Sequence, residues 1–199
     1  MYADLMTFGN SLPGGSMFWQ KKSIEEKAKK LAPSVVELSR TVAPTLHEAL
    51  YSLGQAKPDP QRESDQRISL AMELIYLSFH LLDRECFARH GPNERARFID
   101  TLFLELWTPL LDALPAEAAI ISKRVMREQT NQAQLEYAEF VQLLSRKGEP
   151  LGGTLIWEFS KKMCMRYNPS SDEAAIYPVS VVAAEYVLSL YGLIDTVKL

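Results

Sequence analysis

Five side chains of this sequence stand where polar groups are costly. Glu73, Tyr76, His80, Asp83 and Arg84 recur at spacings of three and four within a stretch that is otherwise almost wholly apolar. At about 100° per residue, Glu73, His80 and Arg84 fall on one narrow stripe of a helix. Polar groups on such a helix must be paired or reach water. Two chemistries follow. The stripe is a closed ladder of internal pairs, or it lines a pocket between helices in which His80 holds a ligand or moves a proton near neutral pH. Glu73 and Asp83 both lie within reach of His80, and a carboxylate partner predicts a raised imidazole pKa.

The other constellations are weaker. A di-iron bundle requires Glu three residues before His on two helices. Residues Pro44, Leu77 and Phe87 occupy those places before His47, His80 and His90, so the motif is missing. No Gly-x-Ser-x-Gly elbow is present. Cys86 and His90 are four apart on one helix, a common spacing that does not make a catalytic dyad. Neither Cys86 nor Cys164 has a second Cys two to four residues away, and His90 alone beside Cys86 does not make a four-ligand set, which excludes a zinc finger or ribbon. Gly152-Gly153-Thr154 before a helix, with Lys161-Lys162 further on, reads as a turn and an N-cap, since it lacks the phosphate-loop pattern. No metal and no cofactor is expected.

These groups must be positioned by helices. Ser23 with Glu26 has capping-box spacing and opens a helix that Pro33 should stop. Ser34 with Glu37 repeats the box and opens a second helix to about Leu53, kinked at Pro44. Gln55 to Glu63 reads as a loop. Ser64 then caps the most hydrophobic helix, about 65–90. It is apolar around nearly its whole circumference, which predicts burial on all sides. Gly91-Pro92 is a boundary between helices. A helix follows to Leu114, then a long one from Pro115 to Lys147 with Gly148 as its C-cap. Thr154 caps a helix from Leu155 to Tyr167. Ser170 with Glu173 caps a last one, about 172–195.

No alternating β pattern survives, so the fold class is all-α: an irregular bundle of about seven helices around a buried central helix, about 65–90. Residues 23–199 form one helical domain, and 1–22 a flexible N-terminal arm. Within that arm Met17, Phe18 and Trp19 follow a Gly14-Gly15 joint and form a candidate interaction element.

The chain's 199 residues are 47% apolar and 24% charged, with net charge −3. That balance gives no reason to bind a polyanion, and no nucleic acid is expected. The last helix is long enough to cross a bilayer, but it carries Glu185 near its middle, and a carboxylate there costs about 3 kcal/mol. No membrane span is expected. The first residues lack a basic start and an apolar core, which argues for a cytoplasmic address of bacterial type. The sequence therefore points to a non-enzymatic helical interaction or regulatory module that binds a protein or a second copy of itself. The alternative is a small-molecule binder or enzyme with a polar interhelical pocket around His80.

Overall fold

The computed structural model describes residues 23–52, 58–112, 115–145, 151–169 and 173–199. Met17, Phe18 and Trp19, with the rest of 1–22, lie outside the described residues, as do Gly54, Gly148 and Ser170. The described residues are 86% helical and contain no strand. They form five α-helices: α1 (Ile24–Leu50), α2 (Pro60–Leu111), α3 (Ala116–Ala138), α4 (Leu155–Tyr167) and α5 (Ile176–Val197), with a single 3-10 turn at Glu173–Ala175.

Five helices replace the expected seven for two reasons. First, α1 continues through Pro33, where a stop was expected, and on through Pro44 as one helix. Each proline removes an amide donor, yet Leu31, Val35, Ala43 and Leu46 on the same helix are buried in the core. Packing holds the helix across both prolines. Second, α2 joins the two helices expected on either side of Gly91. Its backbone leaves helical geometry only at Gly91, with φ +79° and ψ −177°. That region is open to glycine alone. The chain turns back there. Phe79 meets Phe103, Tyr76 meets Trp107, and the Arg95 guanidinium grips both oxygens of Asp83 at 2.6 and 2.7 Å. These pairs make α2 an antiparallel hairpin of arms 60–90 and 92–111.

Two boundaries also move. α2 starts at Pro60, because the Asp59 carboxylate accepts from the Gln61 and Arg62 amides and proline fits the first helical position. α3 is one unbroken helix through Thr130-Asn131 but ends at Ala138, well before Lys147. Beyond it the chain has other partners. Leu155 and Ile156, at the start of α4, donate their amides to the Gln142 and Leu143 carbonyls. The Ser23/Glu26 capping box and the Thr154 cap form as expected.

Buried residues from all five helices make one hydrophobic cluster. All ten residues 73–82 are buried. The bundle is nonetheless not wrapped around that stretch alone. α1 packs on α2 and on α5, α3 lies on α2, and α4 lies on α5. The Tyr186 hydroxyl of α5 is buried where three helices meet, 2.7 Å from Ser39 Oγ of α1 and 2.5 Å from Ser78 Oγ of α2. Glu173–Val197 is the one stretch among the described residues long and apolar enough to cross a membrane. Here it contributes Val179, Ala183, Val187 and Leu190 to the core.

Candidate functional site

The polar stripe on α2 does not close on itself. Each of its five members turns to a different partner. Glu73, only 4% exposed, pairs with Arg166 and lies 3.5 Å from Lys162 Nζ, both on α4. Tyr76 donates its hydroxyl to Gln129 Oε1 of α3 at 2.8 Å. His80 bonds through Nδ1 to Gln134 Oε1 of α3 at 3.0 Å. Asp83 is taken by Arg95. Arg84 donates to the Phe140 and Val141 carbonyls at 3.1 and 2.9 Å. The structure therefore brings Glu73 and Tyr76 into one cleft and leaves His80, Asp83 and Arg84 outside its lining.

The His80 environment reverses the expected pKa. Its ring is 3% exposed and meets Tyr137 edge-on, with centroids 5.7 Å apart. An amide oxygen only accepts, so Nδ1 carries the proton. Burial pulls the imidazole pKa below its ordinary value; the Gln134 bond and Asp83 oppose this only in part. Glu73 has no share in it. His80 is a buried neutral histidine.

The cleft itself lies between α2, α3 and α4 and has a volume of about 310 Å³. Its floor is the Glu73 carboxylate. Lys162 bridges Glu73 to Glu136 of α3, at 2.7 Å from the latter, and sits 5.4 Å from the Tyr137 ring. The Glu136 pKa falls below the usual carboxylate range because Lys162 bonds it. Burial raises the Tyr76 phenol to about 12, with the Glu73 charge adding to the rise. Two acids and two bases thus satisfy one another. The sequence reading missed Lys162, Arg166, Gln129, Gln134 and Glu136. One signal was present: Lys162 and Arg166 are four apart on α4, a basic face suited to a carboxylate buried on another helix.

A second depression lies on the far side of Met72, which borders both. It is an apolar groove of about 450 Å³ between α1 and the two arms of α2. Ala43 on α1 and Ala71 on α2 are too small to fill the space between the helices. Ile68, Ile75, Leu106 and Trp107 give it an oily wall, and Ile68 is 64% exposed. Arg40 and Arg67 stand at its edge. Arg67 is paired with Glu63 and Glu48. Arg40 is exposed and has no ion-pair partner among the described residues. The indole N–H of Trp107 is buried without an acceptor.

The remaining candidates are structural. Cys86 and Cys164 are both buried, and burial raises the Cys86 thiol to about 11, far from a nucleophile's range. At Gly152-Gly153-Thr154 the amides are used internally: Gly153 donates to Glu158 and Trp157 to the Thr154 hydroxyl. His47, Glu48 and Glu63 approach one another at a spacing suited to a cation, but the Arg67 guanidinium already supplies the charge there. No protein-family model matches the chain, and no curated protein or solved structure matches it significantly.

Proposed function

We propose that this protein is a non-enzymatic helical interaction module whose binding surface is the groove between α1 and the α2 hairpin. The observation that carries the reading is the groove itself: an apolar trough walled by Ile68, Ile75, Leu106 and Trp107, with an arginine at its edge that has no ion-pair partner among the described residues. Recognition sites combine apolar walls with a few polar groups that fix orientation. The fitting partner is a peptide with apolar anchors next to an acidic side chain. A cytoplasmic compartment is part of the same proposal; the two buried cysteines, Cys86 and Cys164, fit it.

Selection of peptides from a random library against the full chain tests this. Selected binders should carry an acid beside apolar residues and lose binding to Ile68→Asp and Arg40→Glu. Binders that map elsewhere overturn the reading. A second reading, a small-molecule binder or enzyme, is favoured by the polar cleft, where Glu73 and a second carboxylate, Glu136, share one pocket. Its charges are mutually paired and His80 is not in its wall, so it ranks second. A thermal-shift screen of small polar compounds, with Glu136→Gln as control, decides it.

A further inference from the structure

We propose that the partner seated in the α1–α2 groove is a second copy of this chain, which inserts the first turns of its α3. The proposal rests on the groove being the binding surface and names its occupant.

The groove calls for apolar anchors beside an acid, and one helix of this chain displays that set outward. The buried residues of α3 are Thr130, Ala133 and Tyr137, so its first turns add no fully buried side chain to the core. In those turns Glu117, Ile121 and Val125 follow at intervals of four, a row of the kind with which a helix enters a groove. Ile121 is 58% and Val125 39% exposed; Ile120 lies off this row. The ion pairs of α3 use Arg124, Arg127, Glu128 and Glu136 and leave Glu117 without one among the described residues. Arg40 is the matching cation at the groove's edge. Docking covers Ile68 and Ile121 together, two large apolar side chains that a single chain leaves in water.

Length and direction agree as well. Glu117 to Val125 rises about 12 Å along a helix, and the groove is bounded over the same rise by Arg67 to Ile75 on α2 and by Val36 to Pro44 on α1. His47 meets Gln66, and Ser39 and Ser78 share the Tyr186 hydroxyl. α1 and the arm 60–90 are therefore antiparallel, with Arg40 toward the Ile75 end of the groove and Pro44 toward the Ile68 end. A docked α3 with Glu117 on Arg40 runs from Ile75 to Ile68. The resident α3 runs the other way, along the arm 60–90, since Gln129 meets Tyr76 and Gln134 meets His80. Docked and resident helices are thus antiparallel, the relation that a twofold axis across them imposes. Each α3 then fills the other chain's groove, and the assembly closes as a dimer instead of growing into a filament.

Sedimentation equilibrium of the full chain should find a dimer. Ile121→Asp and Ile68→Asp should each give a monomer whose helicity by circular dichroism matches the parent. Mixing these two variants should give a heterodimer, because the first keeps an intact groove and the second an intact α3. Glu117→Arg should raise the dissociation constant about tenfold, the loss of two exposed ion pairs of about threefold each, and Arg40→Glu in the same chain should restore it. A parent that stays monomeric at millimolar concentration, a dimer that survives Ile68→Asp, or a mixture that stays monomeric overturns the proposal. Peptides selected from a random library separate the two levels. If the parent is monomeric and those peptides bind in an Ile68-dependent way, self-pairing falls and the groove stands. If peptide binding ignores Ile68, the groove falls as well.

Discussion

Tyr186→Phe removes one oxygen from the driest polar junction among the described residues and keeps the ring that packs there. That oxygen bonds Ser39 Oγ, Ser78 Oγ and the Leu74 carbonyl, the last at 3.1 Å. Burial lifts the phenol to about 12 despite help from both serines, so the group is a neutral donor throughout the accessible pH range. The loss is smaller than three bonds. The Leu74 carbonyl also serves the α2 ladder, and each serine can turn to the carbonyl one helical turn back, Val35 or Leu74. What is left is one or two buried polar atoms without a proper partner, worth about 1–3 kcal/mol. For a chain of this size that lowers the melting temperature by about 3–9 °C. The triple change Ser39→Ala, Ser78→Ala, Tyr186→Phe leaves no polar side-chain atom to desolvate, so it should cost less than the sum of its three single changes. Urea unfolding followed by far-ultraviolet circular dichroism measures all four variants. A Tyr186→Phe protein within about 0.5 kcal/mol of the parent, or strict additivity in the triple, refutes the reasoning.

Leu77→Ala, at a position with no solvent exposure, should cost about 2–5 kcal/mol, while Ile120→Ala on the exposed face of α3 should change the urea midpoint very little. Gly91→Ala should destabilise by about 1–3 kcal/mol through backbone strain alone, since a methyl group there meets no atom within 4 Å; differential scanning calorimetry reads the loss. His80 has a lowered folded-state pKa, so the unfolded chain takes up its proton first. Its contribution is intact above the unfolded value near 6.5 and is lost as pH falls through the folded one. His80→Gln should therefore cost less at pH 5 than at pH 8, and an NMR titration showing a charged imidazole at pH 7 contradicts this.

Local signals carried much of the fold. Ser23 and Glu26 sit three apart and satisfy each other's amides; nothing distant enters. Thr154 opens α4 in the same way, its hydroxyl accepting from the Trp157 amide, and Gly91 marks the hairpin because no other residue takes its dihedrals at low cost. The stop at Pro33 was misread because a proline's cost of about 3 kcal/mol is local, while what outweighs it is not. Leu31, Ala32 and Val35 around it are all buried against the rest of the bundle. The end of α3 was misplaced for a related reason. No residue near Ala138 stops a helix; Arg84, some 55 residues earlier, and the first amides of α4 claim the carbonyls that follow.

The stripe on α2 shows why a site is harder to read than a fold. Its spacing made Glu73, His80, Asp83 and Arg84 look like one another's partners. Pairs along one helix contribute only about 0.2–0.5 kcal/mol, whereas a buried polar atom left unsatisfied costs several times that. Each side chain therefore takes whatever neighbouring element offers the better geometry. Glu73 takes two cations from α4, His80 an amide from α3, Asp83 a bidentate arginine from the other arm of its own hairpin, and Arg84 two bare carbonyls. Spacing identifies which residues need partners; only the packing of helices decides which they receive. The four charges of the polar cleft pair with one another. The α1–α2 groove differs in kind: its wall is apolar and Ile68 in it stays 64% exposed, which is why the proposed binding surface lies on that face.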